Sequence, residues 1–191
     1  MTGVTFFGGG QLGAKRLELL NELVPAAKSI AIIIDANYPA INAELPIIDE
    51  AAKSLGLATT LARLSDVSEF DAAFAKAKAD GAEAVLIGGS SYFTSKRKEL
   101  VAAAAAYKLP AIFDQRDHVV DGGLISYAAS ITDAYKQSGL YAGRILQGAK
   151  PGDLPVVQPT IFELVVNLKT ADALGLVVPP SVTLRATEII E

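Results

Sequence analysis

Four apolar runs in this sequence are each followed by side chains that could hold a small charged molecule. Asp35, Asn37 and Tyr38 follow "SIAIII", Ser90, Ser91, Tyr92 and Phe93 follow "AVLIGG", Asp114, Gln115 and Arg116 follow "AIF", and Ser126 and Tyr127 close "GGLISY". Arg116 could grip a carboxylate at two points, Asp35 or Asp114 could pair an ammonium, and Tyr38 or Tyr92 could stack on a solute side chain. A plainer role competes with this one, because Asp and Ser after strands commonly cap the next helix, and Ser91 or Thr94 could do so with no ligand involved. Phe93 is expected to pack inward.

A second feature with possible chemistry is "FFGGGQLG", where Gly8, Gly10 and Gly13 stand in G-x-G-x-x-G spacing before a helical pattern, with Asp35 ending the next strand-like run. A nucleotide-binding Rossmann-type enzyme would use such a turn to hold pyrophosphate at a helix N-terminus. Glycine's freedom at positive φ suits a hinge and helix entry equally well, so both readings stay open.

Other chemistry finds little support. The chain has no cysteine and one histidine, His118, which excludes disulfides, thiolate metal sites, Cys-His catalysis and two-His ligand sets. "IGGSSY" is not G-x-S-x-G, so Ser90 and Ser91 lack a nucleophile elbow, and His118 in "DQRDHVVDGG" is expected on a solvated turn or helix start. No catalytic residue, metal site or cofactor is expected. A net charge of −4 gives no footprint for nucleic acid. No apolar run is long enough to span a membrane, and the first residues do not read as a signal peptide.

The elements that must position these residues alternate regularly. Strands are expected at Val4 to Phe7, Ile30 to Asp35, Ala58 to Leu64, Ala84 to Ile87, Ala111 to Asp114 and Leu124 to Tyr127, with helices near 12–24, 40–55, 67–79 and 95–107. This is the rhythm of βαβ crossovers, and it predicts an α/β fold with a doubly wound parallel sheet whose ligand sits beyond the carboxyl ends of the strands. Ser65 or Asp66 is expected to cap the third helix, with Gly56 and Gly81 ending their helices in the left-handed conformation. After Tyr127 the rhythm changes to one long amphipathic helix from Ile131, a Pro- and Gly-rich connection, the strand "IFELVVNL" and the short helix "KTADALGL". That last third does not continue the βαβ series.

The order of segments resembles the substrate-binding proteins of a bacterial ABC importer family that includes tryptophan-binding members. The resemblance is carried by "KRLELLNELVPAAKSIAIIID", "RKELVAAAAAYKLPAIFD" and, most specifically, "GAKPGDLPVVQPTIFELVVNLKTADALGL", and it runs over essentially the whole chain. It implies one lobe of a type I periplasmic-binding-protein fold with a C-terminal crossover segment. Residues 1–9 would form a hinge strand, 10–126 the second ligand-binding lobe, and 127–191 a crossover helix, strand and tail that return to a first lobe lying outside this chain.

The same resemblance implies a non-enzymatic protein that captures a small amino-acid-like solute, an aromatic amino acid among the candidates, for an ABC permease. Its ligand-facing positions would be Asp35, Asn37, Tyr38, Ser90, Ser91, Tyr92, Asp114, Arg116 and Ser126. In the full-length protein it implies a periplasmic or membrane-anchored extracytoplasmic location. The unmatched apolar face of the last third predicts a homo-oligomer. Besides the nucleotide-binding enzyme, an effector or sensor domain of the same architecture is the alternative.

Overall fold

Alternate residues of the central strands are apolar on both sides, and this decides the architecture. In β2 (Ser29–Asp35), Ile30, Ile32 and Ile34 enter one core while Ala31 and Ile33 enter another, and in β4 (Ala84–Ile87) the pairs Ala84, Leu86 and Val85, Ile87 divide the same way. A strand buried on both faces needs helices above and below it. Each fully buried Ile contributes roughly 1.5–3 kcal/mol, so the two cores fix the strand register strongly. The computed structural model describes residues 2–5 and 11–191.

The first core is covered by α1 (Gln11–Leu23) and α2 (Ile41–Ser54), and the second by α3 (Phe70–Ala79) and α5 (Arg97–Ala106). β3 (Ala58–Leu64) is a largely solvent-facing edge, and β5 (Ala111–Phe113) lies beside β4. The remaining elements are β1 (Gly3–Val4), α4 (Ser91–Ser95), α6 (Arg116–Val120), β6 (Ile125–Ala129), α7 (Ile131–Leu146), β7 (Val156–Val157), β8 (Phe162–Asn167), α8 (Leu168–Ala173), α9 (Pro180–Thr183) and β9 (Glu188–Ile190). The seven-stranded sheet runs β3-β2-β4-β5-β6-β8-β9, and all its pairs are parallel except β6 with β8.

Local signals end the elements where the residue types dictate. Asp66 opens a single 3₁₀ turn through a capping box with Glu69, which leads into α3, and Gly56 and Gly81 take φ of +68° and +83° after their helices. The alanine run in α5 packs on the second core. The helix expected near 95–107 is α5, preceded by the short α4 that joins it at Lys96, and the cap of α4 is Ser90 rather than Ser91 or Thr94. Ser90 Oγ accepts a hydrogen bond from Phe93 N at 3.0 Å.

Three expectations are corrected. The strand starting at Val4 does not join the main sheet, because Gly3–Val4 pairs in parallel with Val156–Val157 in a separate two-stranded ribbon. The rest of that expected strand, like Gly8 and Gly10, lies outside the described residues. Second, β8 and β9 extend the lobe's own sheet, with Ile125 opposite Val166 and Val165 beside Glu188, whereas the whole stretch from 127 was expected to leave it. The apolar alternation in "FELVVN" has its cover in this lobe, since Leu164 and Val166 belong to the first core. Third, His118 is fully buried, stacked on Phe113 with ring centroids 4.9 Å apart.

Candidate ligand cleft

A cleft of about 710 Å³ opens beyond the carboxyl ends of the parallel strands. The chain order switches between β2 and β4, with β3 placed on one side and β5 on the other, and the loops that diverge there leave a crevice. Among the residues expected from sequence, Tyr38, Ser90, Ser91, Asp114 and Arg116 line it, together with Gln115 and Tyr127.

The other expected positions are absorbed by the scaffold. Asp35 is buried and its Oδ1 accepts from Asn37 N at 2.8 Å, while Asn37 Nδ2 donates to Ser65 O at 3.4 Å, so the two stabilise the turn after β2. Tyr92 points to the second core, where its hydroxyl accepts from Val67 N at 2.7 Å. Ser126 is buried in β6 with its Oγ unpartnered among the described residues, and it does not line the cleft. Phe93 packs inward as expected, edge-on to Phe70.

Arg116 lines the cleft but its fork is already engaged. Its Nε and Nη2 donate to the two carboxylate oxygens of Glu188 at 2.5 and 2.7 Å, which holds Arg116 above its ordinary range and Glu188 below it. The start of β9 thus binds the residue that sequence spacing offered as a carboxylate grip.

The inner wall contains two residues that sequence reading missed, Arg16 and Glu44. Arg16 is only 3% exposed, with Nη2 at 3.5 Å from Glu44 Oε2 and Nε donating to Leu12 O. Nothing in "GAKRLELL" marks its Arg as buried. Only the packing of α1 against α2 turns it inward, and Gly13 allows that packing, since a Cβ there would stand 2.7 Å from Ile48.

Asp114 sits against Gly89, where a Cβ would lie 2.7 Å from Oδ2. Burial raises Asp114 to about 6, an effect that Arg16 offsets in part. Burial also raises Glu44, again opposed by Arg16, and it raises Tyr38 with help from the charges of Glu44 and Asp114. His118 Nδ1 is 3.9 Å from Asp114 Oδ1, and burial lowers this histidine to about 4, so it is neutral at physiological pH.

The glycine spacing near the N-terminus does not form a nucleotide cradle in the described residues. Gly13 lies within α1 as a packing residue, β1 lies outside the sheet that the fingerprint requires, and Asp35 is turned into its own loop.

This sheet, its order and its switch-point cleft are those of one lobe of a type I periplasmic binding protein. A family model for ABC transporter substrate binding proteins matches residues 1–190, and the chain belongs to that family. Among solved structures, a conserved domain protein from Vibrio cholerae O1 biovar El Tor is similar at a TM-score of 0.86 and 22% identity, over 98% of this chain and 62% of that one. The ABC domain from Streptococcus pneumonia in complex with L-Trp follows at 0.83 and 22%, over 99% and 64%. The ligand-free, open structure of a Clostridium difficile substrate binding protein with adhesive properties gives 0.71 and 19%, over 100% and 62%. At these identities the likeness establishes the fold, and the chain spans less than two thirds of the length of each. A search of curated proteins finds no match.

Proposed function

We propose that this chain is the solute-binding lobe of a bacterial ABC importer's binding protein and captures a small amino-acid-like molecule without chemistry. The observation that carries the reading is the cleft at the switch point, whose volume and mixed lining of hydroxyls, carboxylates and aromatic rings suit a solute of that size. The family match and the L-Trp complex of one structural relative support it. The ligand-facing side chains are Tyr38, Ser90, Ser91, Asp114 and Arg116, with Tyr127 at the outer wall. The protein acts outside the cytoplasm and delivers its solute to a permease.

In this reading the β1–β7 ribbon is where the lobe joins its counterpart. Residues 1–9 serve as hinge, 10–126 form most of the lobe, and α7 faces the other lobe while β8 and β9 stay with this one. Closure of two lobes normally buries most of a ligand, so one wall alone binds weakly.

Amide chemical-shift titration of the chain with L-tryptophan, other free amino acids and D-arabinose tests the proposal. Millimolar amino acids should shift the amides of Gly89, Ser90 and Asp114, and D-arabinose should not. Shifts caused by the sugar alone, or by none of these compounds, would overturn it.

A further inference from the structure

We propose that a second pocket, at the amino ends of β5 and β6, is a binding site for a small monocarboxylate with a compact apolar body, which lies between α5 and α8 with its anionic head on Lys108. The site is separate from the cleft and does not rest on the reading given to the cleft.

The pocket holds about 210 Å³ and shares no lining residue with the cleft, which opens at the other ends of the same strands. Small residues create it. Ala104 and Ala105 face it from α5, Ala173 from α8, and Gly122 and Gly123 from the turn after α6. Both glycines are required by the backbone, since Gly122 takes φ of +106° and a Cβ on Gly123 would stand 2.8 Å from His118 O and from Phe113 Cε2. That turn therefore contributes no side chain to fill the space. The hydroxyl of Thr170 in the lining is already spent, donating to Gly122 O at 2.9 Å. An apolar space of this kind holds water poorly and accepts an apolar body of its own size. Its volume is below that of a site for a drug-sized molecule, which points to a ligand of roughly ten heavy atoms.

Lys108 supplies the charge. Among the described residues it is the only charged one in the lining, it is exposed, and its ammonium has no hydrogen-bond or ion-pair partner. Lys15, Lys53 and Lys76, by contrast, each meet a carboxylate within four residues along the chain. The backbone at Lys108 supports the same reading. Gly56, Gly81, Gly122, Gly148 and Gly175 take positive φ at the ends of α2, α3, α6, α7 and α8. At the end of α5 the residue in that region is Lys108, at φ +50°, the one non-glycine there among the described residues. A side chain in this conformation is disfavoured relative to glycine. An ammonium is thus kept at the rim of an apolar pocket where the other helix ends carry no side chain. A carboxylate complements it, and a cationic ligand would meet a like charge.

The test is an amide chemical-shift titration of the chain with benzoate, and with benzyl alcohol and benzylamine as its neutral and cationic counterparts. Millimolar benzoate should shift the amides of Ala105, Lys108, Gly122 and Gly123 and leave those of Gly89 and Ser90 in place. Benzyl alcohol and benzylamine should bind about three- to fivefold more weakly, the range of an exposed ion pair, and the preference should fade as salt is added. Lys108→Gly should raise the urea midpoint, by removing a disfavoured side chain, while lowering benzoate affinity about three- to fivefold. Ala105→Leu should fill the pocket and abolish the benzoate shifts with the fold retained. No shifts, shifts confined to the cleft amides, benzoate binding that survives Ala105→Leu, or Lys108→Gly binding benzoate as tightly as the wild type would each overturn the site. The cleft's own titration reads different amides, so the two readings fail separately.

Discussion

Arg116 and Glu188 are 72 residues apart in sequence and form a two-point ion pair across the rim of the cleft, joining the start of α6 to the start of β9. The pair makes the final strand part of the binding surface. Both side chains are exposed enough that the pair contributes under about 1 kcal/mol to stability. Glu188→Gln should therefore barely change urea denaturation but free the fork of Arg116. Indole-3-propionate should then bind the variant more tightly than the wild type, as read by chemical-shift titration.

Gly89→Ala tests the close approach to Asp114. A Cβ at 2.7 Å from Oδ2 and 3.2 Å from Cβ of Asp114 forces the carboxylate to move. The variant should lose about 1–3 kcal/mol in denaturant unfolding, the usual range for overpacking, and bind L-tryptophan more weakly. Unchanged stability and binding would mean the wall is soft.

Ser90→Ala removes the α4 cap, in which Oγ accepts from Phe93 N. A loss of about 1 kcal/mol is expected in thermal or urea unfolding. Loss of the amide shifts caused by L-tryptophan, beyond the loss of stability, would show that the hydroxyl is also a ligand contact.

Asp114 and His118 give opposite pH dependences. Burial lowers His118 from 6.5 to about 4, so the unfolded chain binds the extra proton between those values. Its contribution is full above about 6.5 and is lost as pH falls toward 4. Burial raises Asp114 from 3.8 to about 6, so the folded chain keeps the extra proton, and that contribution is present below about 4 and lost as pH rises through 6. Each is worth about 3 kcal/mol. The stability of Asp114→Asn relative to wild type should rise by about that amount from pH ~4 to ~7, and that of His118→Gln should fall. Urea denaturation across this range checks both signs, and a flat difference would contradict them.

The outer face of α7 is expected to drive self-association of this chain. Ile131, Tyr135 and Ile145 are exposed along one stripe of it at helical spacing, and Leu146 is 88% exposed at its end, with Val156 and Ile161 exposed in the segment that follows. Sedimentation at high micromolar concentration should show a dimer or larger species, and Ile145→Glu with Leu146→Glu should restore the monomer. A compact wild-type monomer would refute this.

The βαβ lobe was legible from periodicity because the inner strands are apolar on both faces and several helix ends are marked by residues beside them. Residues such as Asp66, Gly56 and Gly81 act within a few positions of themselves, and their roles need no tertiary information. The resemblance to ABC substrate-binding proteins was legible too, since the segment order survives where single motifs are weak.

Local sequence could not give the partners of long-range contacts. Tyr92 and Asp35 follow strands just as Tyr38 and Asp114 do, yet the first two turn to scaffold hydrogen bonds and the second two reach the cleft. His118 looked solvated by its neighbours "QRDHVVD" but stacks on Phe113 in the interior. Strand β8 was expected as a strand but not in this sheet, because it pairs antiparallel to β6 after α7 and a Pro- and Gly-rich connection, and that pairing is outside the parallel βαβ rhythm.

By itself, then, the sequence determined the layers, the family and the end of the sheet where a ligand would sit, because those follow from short-range patterning and the order of elements. Tertiary structure decided which charges meet. It buried Arg16 between Glu44 and Asp114 and closed Arg116 onto Glu188, since the sign of a cleft depends on charges brought together from helices and strands far apart in the chain.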